Sequence, residues 1–232
     1  MRQWTTENGL LVHRLVGPGC NVYLVSGPSG CIMVDSSYGF TGKKLLQRVE
    51  LACAEKQLKA LVLTHTHFDH AGNAALIKEH FKLPIVVHEE EAGYLKKGIS
   101  PLPRGTQFYN KAVMNMVRRV HIPFQHFKAV RGDILINDRY DFSEYGLNAY
   151  ALPTPGHTKG SLSVVVDNTI ALVGDTLVGY VLGHNYPAFA DGPDQFVASW
   201  AALLDTGCTT FLPTHGGAIK REALQVLLDK HL

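Results

Sequence analysis

Between Leu61 and Gly72 the chain reads LVLTHTHFDHAG. The apolar run Leu58 to Leu63 has the length and composition of a buried strand, and His65, His67, Asp69 and His70 follow it within a few residues. In an extended loop residues i and i+2 point the same way, so His65 and His67 can converge on one metal ion. Asp69 and His70 come where the chain turns into a helix and can reach a second ion nearby. Nitrogen and oxygen donors without cysteine suit a transition metal, zinc first, with iron or manganese admissible. A carboxylate at a helix start is favoured by the dipole without any metal, but that reading covers Asp69 alone. With 12 histidines in 232 residues, this quartet arises by chance on the order of once in 1000 such chains.

Working outward, 232 residues with 46% hydrophobic content predict one domain over 1–232 around a sizeable core. The net charge is only +2, and Lys and Arg are scattered rather than set in a basic stripe, so a small-molecule substrate is expected and a nucleic-acid partner is not. The opening MRQWTTENGLLVHRL lacks the pattern of a signal peptide, which predicts a cytoplasmic protein. No apolar run nears the roughly 18 residues of a membrane span, so no membrane partner is expected. Cys20, Cys31, Cys53 and Cys208 show no CxxC spacing and are expected as reduced, buried thiols, Cys20 and Cys31 being the one pair placed for a disulfide. Nothing in the composition specifies an oligomeric state.

Three strand-like runs open the chain, Leu10 to Val16, Asn21 to Ser26 and Cys31 to Ser36, with turn signals at Gly17 and Gly27. Asp35 ends the third. Thr41 reads as a helix N-cap before a helical stretch to Glu55. A strand over Pro84 to Val87 and an acidic helix over Glu89 to Lys97 follow the histidine motif. Residues 98–124 break this rhythm with Pro101, Pro103 and Gly105, a helical stretch and Pro123, and are expected to form a helical insertion walling a cleft. Strands then resume at 133–136, 147–152, 161–166 and 169–173, with a hairpin at Asp167-Asn168. A helix over 193–204, a strand over 209–212 and a helix over 219–230 complete the chain. Periodicity alone gives an α/β protein.

THTHFDH resembles the HxHxDH signature of the metallo-β-lactamase superfamily. Three further motifs of that family stand in order: TPGHT at 154–158, GDT at 174–176 and PTHG at 213–216. The resemblance implies a four-layer αββα sandwich with two divalent ions and a bridging hydroxide as nucleophile. It places His65, His67 and His157 on the first ion, Asp69, His70 and His215 on the second, and Asp175 across both. Asp69 would also act catalytically, facing the attacking oxygen, and Asp35 would brace the loops without ligating. His13, His80, His88, His121, His126, His184 and His231 are left structural. In the loop 177–192, Tyr180, His184 and Tyr186 are candidate substrate contacts.

The activity this implies is hydrolysis of an ester, thioester or lactone. The alternatives are a mononuclear iron dioxygenase acting on persulfides, which would leave Asp69, His70 and His215 without a role, and a phosphodiesterase or nuclease. Antibiotic-degrading members often carry Cys or Ser where Asp175 stands. Thioesterases of the glyoxalase II type hold glutathione with a helical domain beyond the last ligand, whereas 17 residues follow His215 here. Compact esters, lactones or small thioesters are therefore expected to be the better substrates.

Overall fold

The computed structural model describes residues 2–17, 19–101, 125–179 and 186–232. Two sheets form. In the first, β1 (Arg2–Thr5), β2 (Leu11–Val16), β3 (Val22–Ser26) and β4 (Cys31–Val34) run antiparallel, and β5 (Leu58–Val62), β6 (Ile85–His88) and β7 (Ile134–Ile136) continue parallel to β4. In the second, β8 (Tyr140–Asp141), β9 (Ala149–Pro153), β10 (Leu162–Val166) and β11 (Ile170–Gly174) are antiparallel; β12 (Thr210–Pro213) lies parallel to β11 and β13 (Ile219–Lys220) closes the edge.

The helices α1 (Gly42–Cys53), α2 (Phe68–Ala71), α3 (Ala74–Phe81) and α4 (Glu89–Lys97) belong to the first half, and α5 (Phe196–Asp205) and α6 (Arg221–Asp229) to the second. Strand alternation assigns the layers. On β4, Ile32 and Val34 face the second sheet, while Cys31 and Met33 face α1 and α3; on β10, Leu162, Val164 and Val166 face inward and Val165 faces α5. Both faces of each central strand are covered, which is why these strands read as unbroken apolar runs. The result is the expected αββα sandwich, and among the described residues no helix is long and apolar enough to cross a membrane.

The two sheets are joined at one end, where the functional loops emerge. Leu162 N donates to Thr64 O at 2.8 Å, and Tyr23 Oη donates to Pro213 O at 2.8 Å. Gly174 has φ +52, and a Cβ on it would lie 2.8 Å from Thr64 Cβ. Only glycine allows both that backbone and that approach.

Several expectations are revised. β1 is absent from the periodic reading because RQWT is short and polar; it is an edge strand, anchored by Trp4 edge-on to Tyr23 at 6.2 Å. Thr41 precedes α1 but caps nothing: its hydroxyl donates back to Tyr38 O at 2.7 Å, inside a single 3-10 turn. Residues 219–220 pair with β12 before α6 begins. Cys20 and Cys31 do not bond, and all four cysteines are free and buried. The hairpin at Asp167-Asn168 forms with both residues at positive φ, as a two-residue turn between twisted strands requires. Most of the expected insertion, 102–124, lies outside the described residues, as do Tyr180 and His184.

Candidate metal centre

Each half delivers its polar residues at the carboxyl ends of its strands. β5 leads to His65 and His67, and the single turn α2 then presents Asp69 and His70. The loop after β9 carries His157, the end of β11 carries Asp175, and the loop after β12 carries His215. Ligand atoms within 4.8 Å of one another form three overlapping groups: His65, His67 and His157; His65, His70 and Asp175; Asp69, His70 and His215. All seven residues named from the sequence are thus brought together.

In the first group, His67 Nδ1 lies 2.9 Å from His65 Nε2 and 3.0 Å from His157 Nε2. His157 Nδ1 is 2.8 Å from Phe189 O, which must accept its proton, and His65 Nδ1 is 3.1 Å from Thr64 Oγ1. Those partners leave Nε2 of both rings bare. A proton on His67 Nδ1 satisfies only one of two facing lone pairs, whereas a cation in the centre satisfies all three. Burial, and then the neighbouring imidazoles, hold His65 well below its ordinary pKa and His67 at about 3, so both rings are neutral donors.

In the second group, Asp69 Oδ2 is 3.2 Å from His215 Nε2 and 3.8 Å from His70 Nε2. Asp175 lies between the groups: Oδ1 is 3.4 Å from His70 Nε2, and Oδ2 is 3.5 Å from His157 Nε2 and 3.4 Å from His215 Nε2. His70 Nε2 and Asp175 Oδ1 are buried with no hydrogen-bond partner among the described residues. Buried polar atoms are rarely left so, and two such atoms facing each other fit a cation between them. Burial works against charge at His70 and His215, yet the carboxylates around them prevail: Asp35, Asp175 and Asp69 push His70 up to about 10, and Asp175 and Asp69 push His215 up to about 12. Burial likewise opposes ionisation of Asp175, but His215, His70 and His157 hold it well below the usual carboxylate range.

Outer partners aim the rings, as metal-site imidazoles require. Asp35, 1% exposed, accepts from Thr64 N at 2.8 Å, Thr64 Oγ1 at 2.9 Å, His70 Nδ1 at 2.8 Å and Thr214 Oγ1 at 3.2 Å. It braces ligand loops from both sheets and touches none of the groups' ligand atoms. His215 Nδ1 is held by Gly19 O, and Cys20 Sγ donates to Asp69 O at 2.7 Å.

A cavity of about 310 Å³ opens over the cluster. His67, Asp69, His157, Asp175 and His215 form its floor; Phe68, Pro101, Val178, Pro187, Ala188 and Phe189 wall it, with Ser100 and Gln125 at one side. Tyr186 is not among the lining residues. Its ring packs against Phe196 and Trp200 and stacks on His231 at 5.1 Å, under α5 and α6. Of the expected cleft loop, the next three residues line the cavity instead. His88 caps α4, accepting from Glu90 N at 3.2 Å, and stays outside the cluster.

The sequence reading missed Glu91, Ser100, Gln125 and Phe189. Glu91 carried one signal, as the third of three successive glutamates on a helix with apolar spacing, which turns it inward. The others are visible only once distant segments meet.

Comparisons agree with this fold. A relative named as a probable metallo-hydrolase, from Methanocaldococcus jannaschii, is 29% identical over 72% of this chain and 72% of its own length. An uncharacterized protein of Mycobacterium bovis is 29% identical over 86% of this chain and 87% of its own. The solved structure of a metallo-beta-lactamase family protein from Thermus thermophilus is similar in fold, with TM-score 0.67 and 22% identity over 97% of this chain and 79% of that one. The model of the metallo-beta-lactamase superfamily matches residues 15–216, a span holding all seven candidate ligands, and the chain belongs to that superfamily.

Proposed function

We propose that this protein is a metal-dependent hydrolase that works with two divalent cations, zinc by the nitrogen-rich donor set, and cleaves a compact ester, thioester or lactone. The observation that carries the reading is Asp175, whose two carboxylate oxygens lie within 3.5 Å of His157 on one side and of His70 and His215 on the other. His65, His67 and His157 would hold the first cation, and Asp69, His70 and His215 the second, with Asp175 shared. A mononuclear iron site would leave the second group, with its bare His70 Nε2, unexplained.

Bound cations supply Lewis-acid polarisation of the scissile carbonyl and acidify a water for attack. The chain's own groups do the rest. Asp69, on the cavity floor with its carboxyl held below the ordinary carboxylate value, would accept a hydrogen bond from the attacking water and orient it. Phe189 fixes His157 through its carbonyl and presents its ring to the substrate. The apolar wall from Phe68 to Val178 excludes solvent around the reacting carbonyl, which strengthens every charge interaction there. At about 310 Å³ the cavity suits a compact acyl group rather than a long conjugate.

Elemental analysis of protein purified without added metal, followed by zinc reconstitution and kinetics on esters, lactones, thioesters and phosphodiesters, tests the reading. Two equivalents of metal with carbonyl-ester turnover are expected. A reproducible single equivalent of iron, unchanged by reconstitution, would refute it, and preference for phosphodiesters would refute the substrate class. S-lactoylglutathione as the best substrate, with small lactones and esters inert, would refute the size argument.

A further inference from the structure

We infer that Glu91 is a positioning residue: it clamps the loop of His65 and His67 against the loop of His157 and so sets the affinity of the first metal position. This rests on the metal reading above. The helix α4 opens with Glu89, Glu90 and Glu91, as suits a helix N-terminus. Glu89 and Glu90 are exposed, but Glu91 is only 2% exposed. Burying a carboxylate is costly unless hydrogen bonds hold it. Among the described residues the other buried acidic groups have roles already: Asp35 braces His70, Asp69 and Asp175 belong to the centre, and Asp167 takes Thr6 and Asn148.

Glu91 reaches toward the centre. Its Oε2 accepts from Thr66 N at 2.9 Å and from Thr66 Oγ1, and Thr66 stands between His65 and His67. Two bonds to one residue fix the peptide that sets the directions of both rings. On its other face Glu91 supports the loop of His157. A Cβ on Gly160 would lie 2.6 Å from Glu91 Cγ and 3.2 Å from both Glu91 Oε1 and Glu90 Cβ, so the absent side chain lets that loop rest on the start of α4, against the Glu91 side chain first. One side chain therefore governs the 3.0 Å separation of His67 Nδ1 and His157 Nε2 across 90 residues of sequence. The second position has separate supports, Asp35 behind His70 and Gly19 O behind His215, and should not feel the clamp.

The test is a zinc titration of metal-stripped protein against a chromogenic chelator, repeated in Asp69→Ala to isolate the first position. Glu91→Ala should weaken the first position about tenfold or more, in the range for loss of an outer-shell partner, and move the second by no more than about threefold. Glu91→Gln retains a carbonyl that can accept from both Thr66 donors and should restore first-position affinity to within about threefold. Thr66→Val removes one of the two bonds with little change of shape, and should give an intermediate loss even if Glu91→Ala does not fold. Thermal melts of the metal-free variants provide the structural control. Lower melting temperatures with unchanged zinc steps, or equal losses at both positions, would overturn the inference alone. A wild-type protein that takes up no zinc would overturn the metal reading and this inference with it.

Discussion

Asp35 offers the sharpest test of how the centre is braced, because two substitutions there should separate stability from metal binding. Asp35→Ala removes the acceptor from four donors. The Thr64 and Thr214 hydroxyls can rotate toward other acceptors, but Thr64 N and His70 Nδ1 are fixed. Each such buried donor left unsatisfied costs about 1–3 kcal/mol, so the variant should lose about 4 kcal/mol. At roughly 2–4 °C per kcal/mol for a chain of this size, its midpoint should fall by about 8–16 °C. Asp35→Asn should behave differently. Its carbonyl can still serve Thr64, but its NH2 then faces His70 Nδ1, which must become an acceptor and shift its proton to Nε2, the atom meant for metal. The expected result is a small loss of midpoint with a roughly 10–100-fold loss of second-position zinc affinity. Thermal melts in chelator together with zinc titrations decide it. If Asp35→Asn binds the second zinc as the wild type does, the brace does not set the tautomer and the reasoning is wrong.

Asp69→Ala should lose the second equivalent by elemental analysis and reduce turnover by more than the roughly 100-fold ceiling for an outer partner; full activity would remove Asp69 from the centre. The electrostatics predict that the two positions respond differently to pH. With His70 pushed up to about 10 and His215 to about 12, metal-free protein carries protons there at neutral pH, and a cation must displace them. His65 and His67 are already neutral. Second-position affinity should therefore rise about ten- to a hundredfold per pH unit from pH 6 to 8, well above the slope at the first; equal slopes by titration at three pH values would contradict this. By the same sign, the stability these raised histidines give the metal-free protein is present below pH 6.5 and is lost as pH rises through about 10 for His70 and about 12 for His215. Phe189→Ala should raise KM for apolar acyl groups about tenfold, measured against an acetyl ester as control. His88→Gln and His126→Gln should leave metal content unchanged.

The sequence made the candidate centre legible because its candidate ligands are local signals. HxHxDH puts four donors in six residues, and the three later motifs each set one donor in a Gly- or Pro-marked turn at a strand end. The strands beneath were legible for a related reason: covered on both faces, they are apolar runs bounded by turn residues. What stayed hidden depends on contacts between distant segments. Glu91 meets Thr66 across 25 residues and Gly160 across 69, so its spacing showed only that it faces inward. Tyr186 was plausible in a cleft loop, yet an aromatic ring gains more by packing with Phe196, Trp200 and His231 than by standing in the cavity. Thr41 matched the N-cap pattern, but its hydroxyl found a carbonyl within the preceding turn.

Why Asp175 and not Asp35 faces the proposed metal positions follows from what each carboxylate meets. The halves present similar ends: Asp35 follows β4 and Asp175 follows β11, while Thr64-His65 follows β5 and Thr214-His215 follows β12. Both threonine hydroxyls turn to the same aspartate, Asp35. With Thr64 N and His70 Nδ1 added, its two oxygens accept a full set of hydrogen bonds and have no lone pair to spare for a cation. Around Asp175 the described residues place imidazole Nε2 atoms at 3.4–3.5 Å, and among those residues its Oδ1 has no hydrogen-bond partner. Both threonines are spent on the first-half aspartate, and that asymmetry divides equivalent carboxylates into a brace and a donor. A sheet position therefore brings an aspartate to the centre, but the count of hydrogen-bond donors around it decides whether it is left open to serve as the proposed metal ligand.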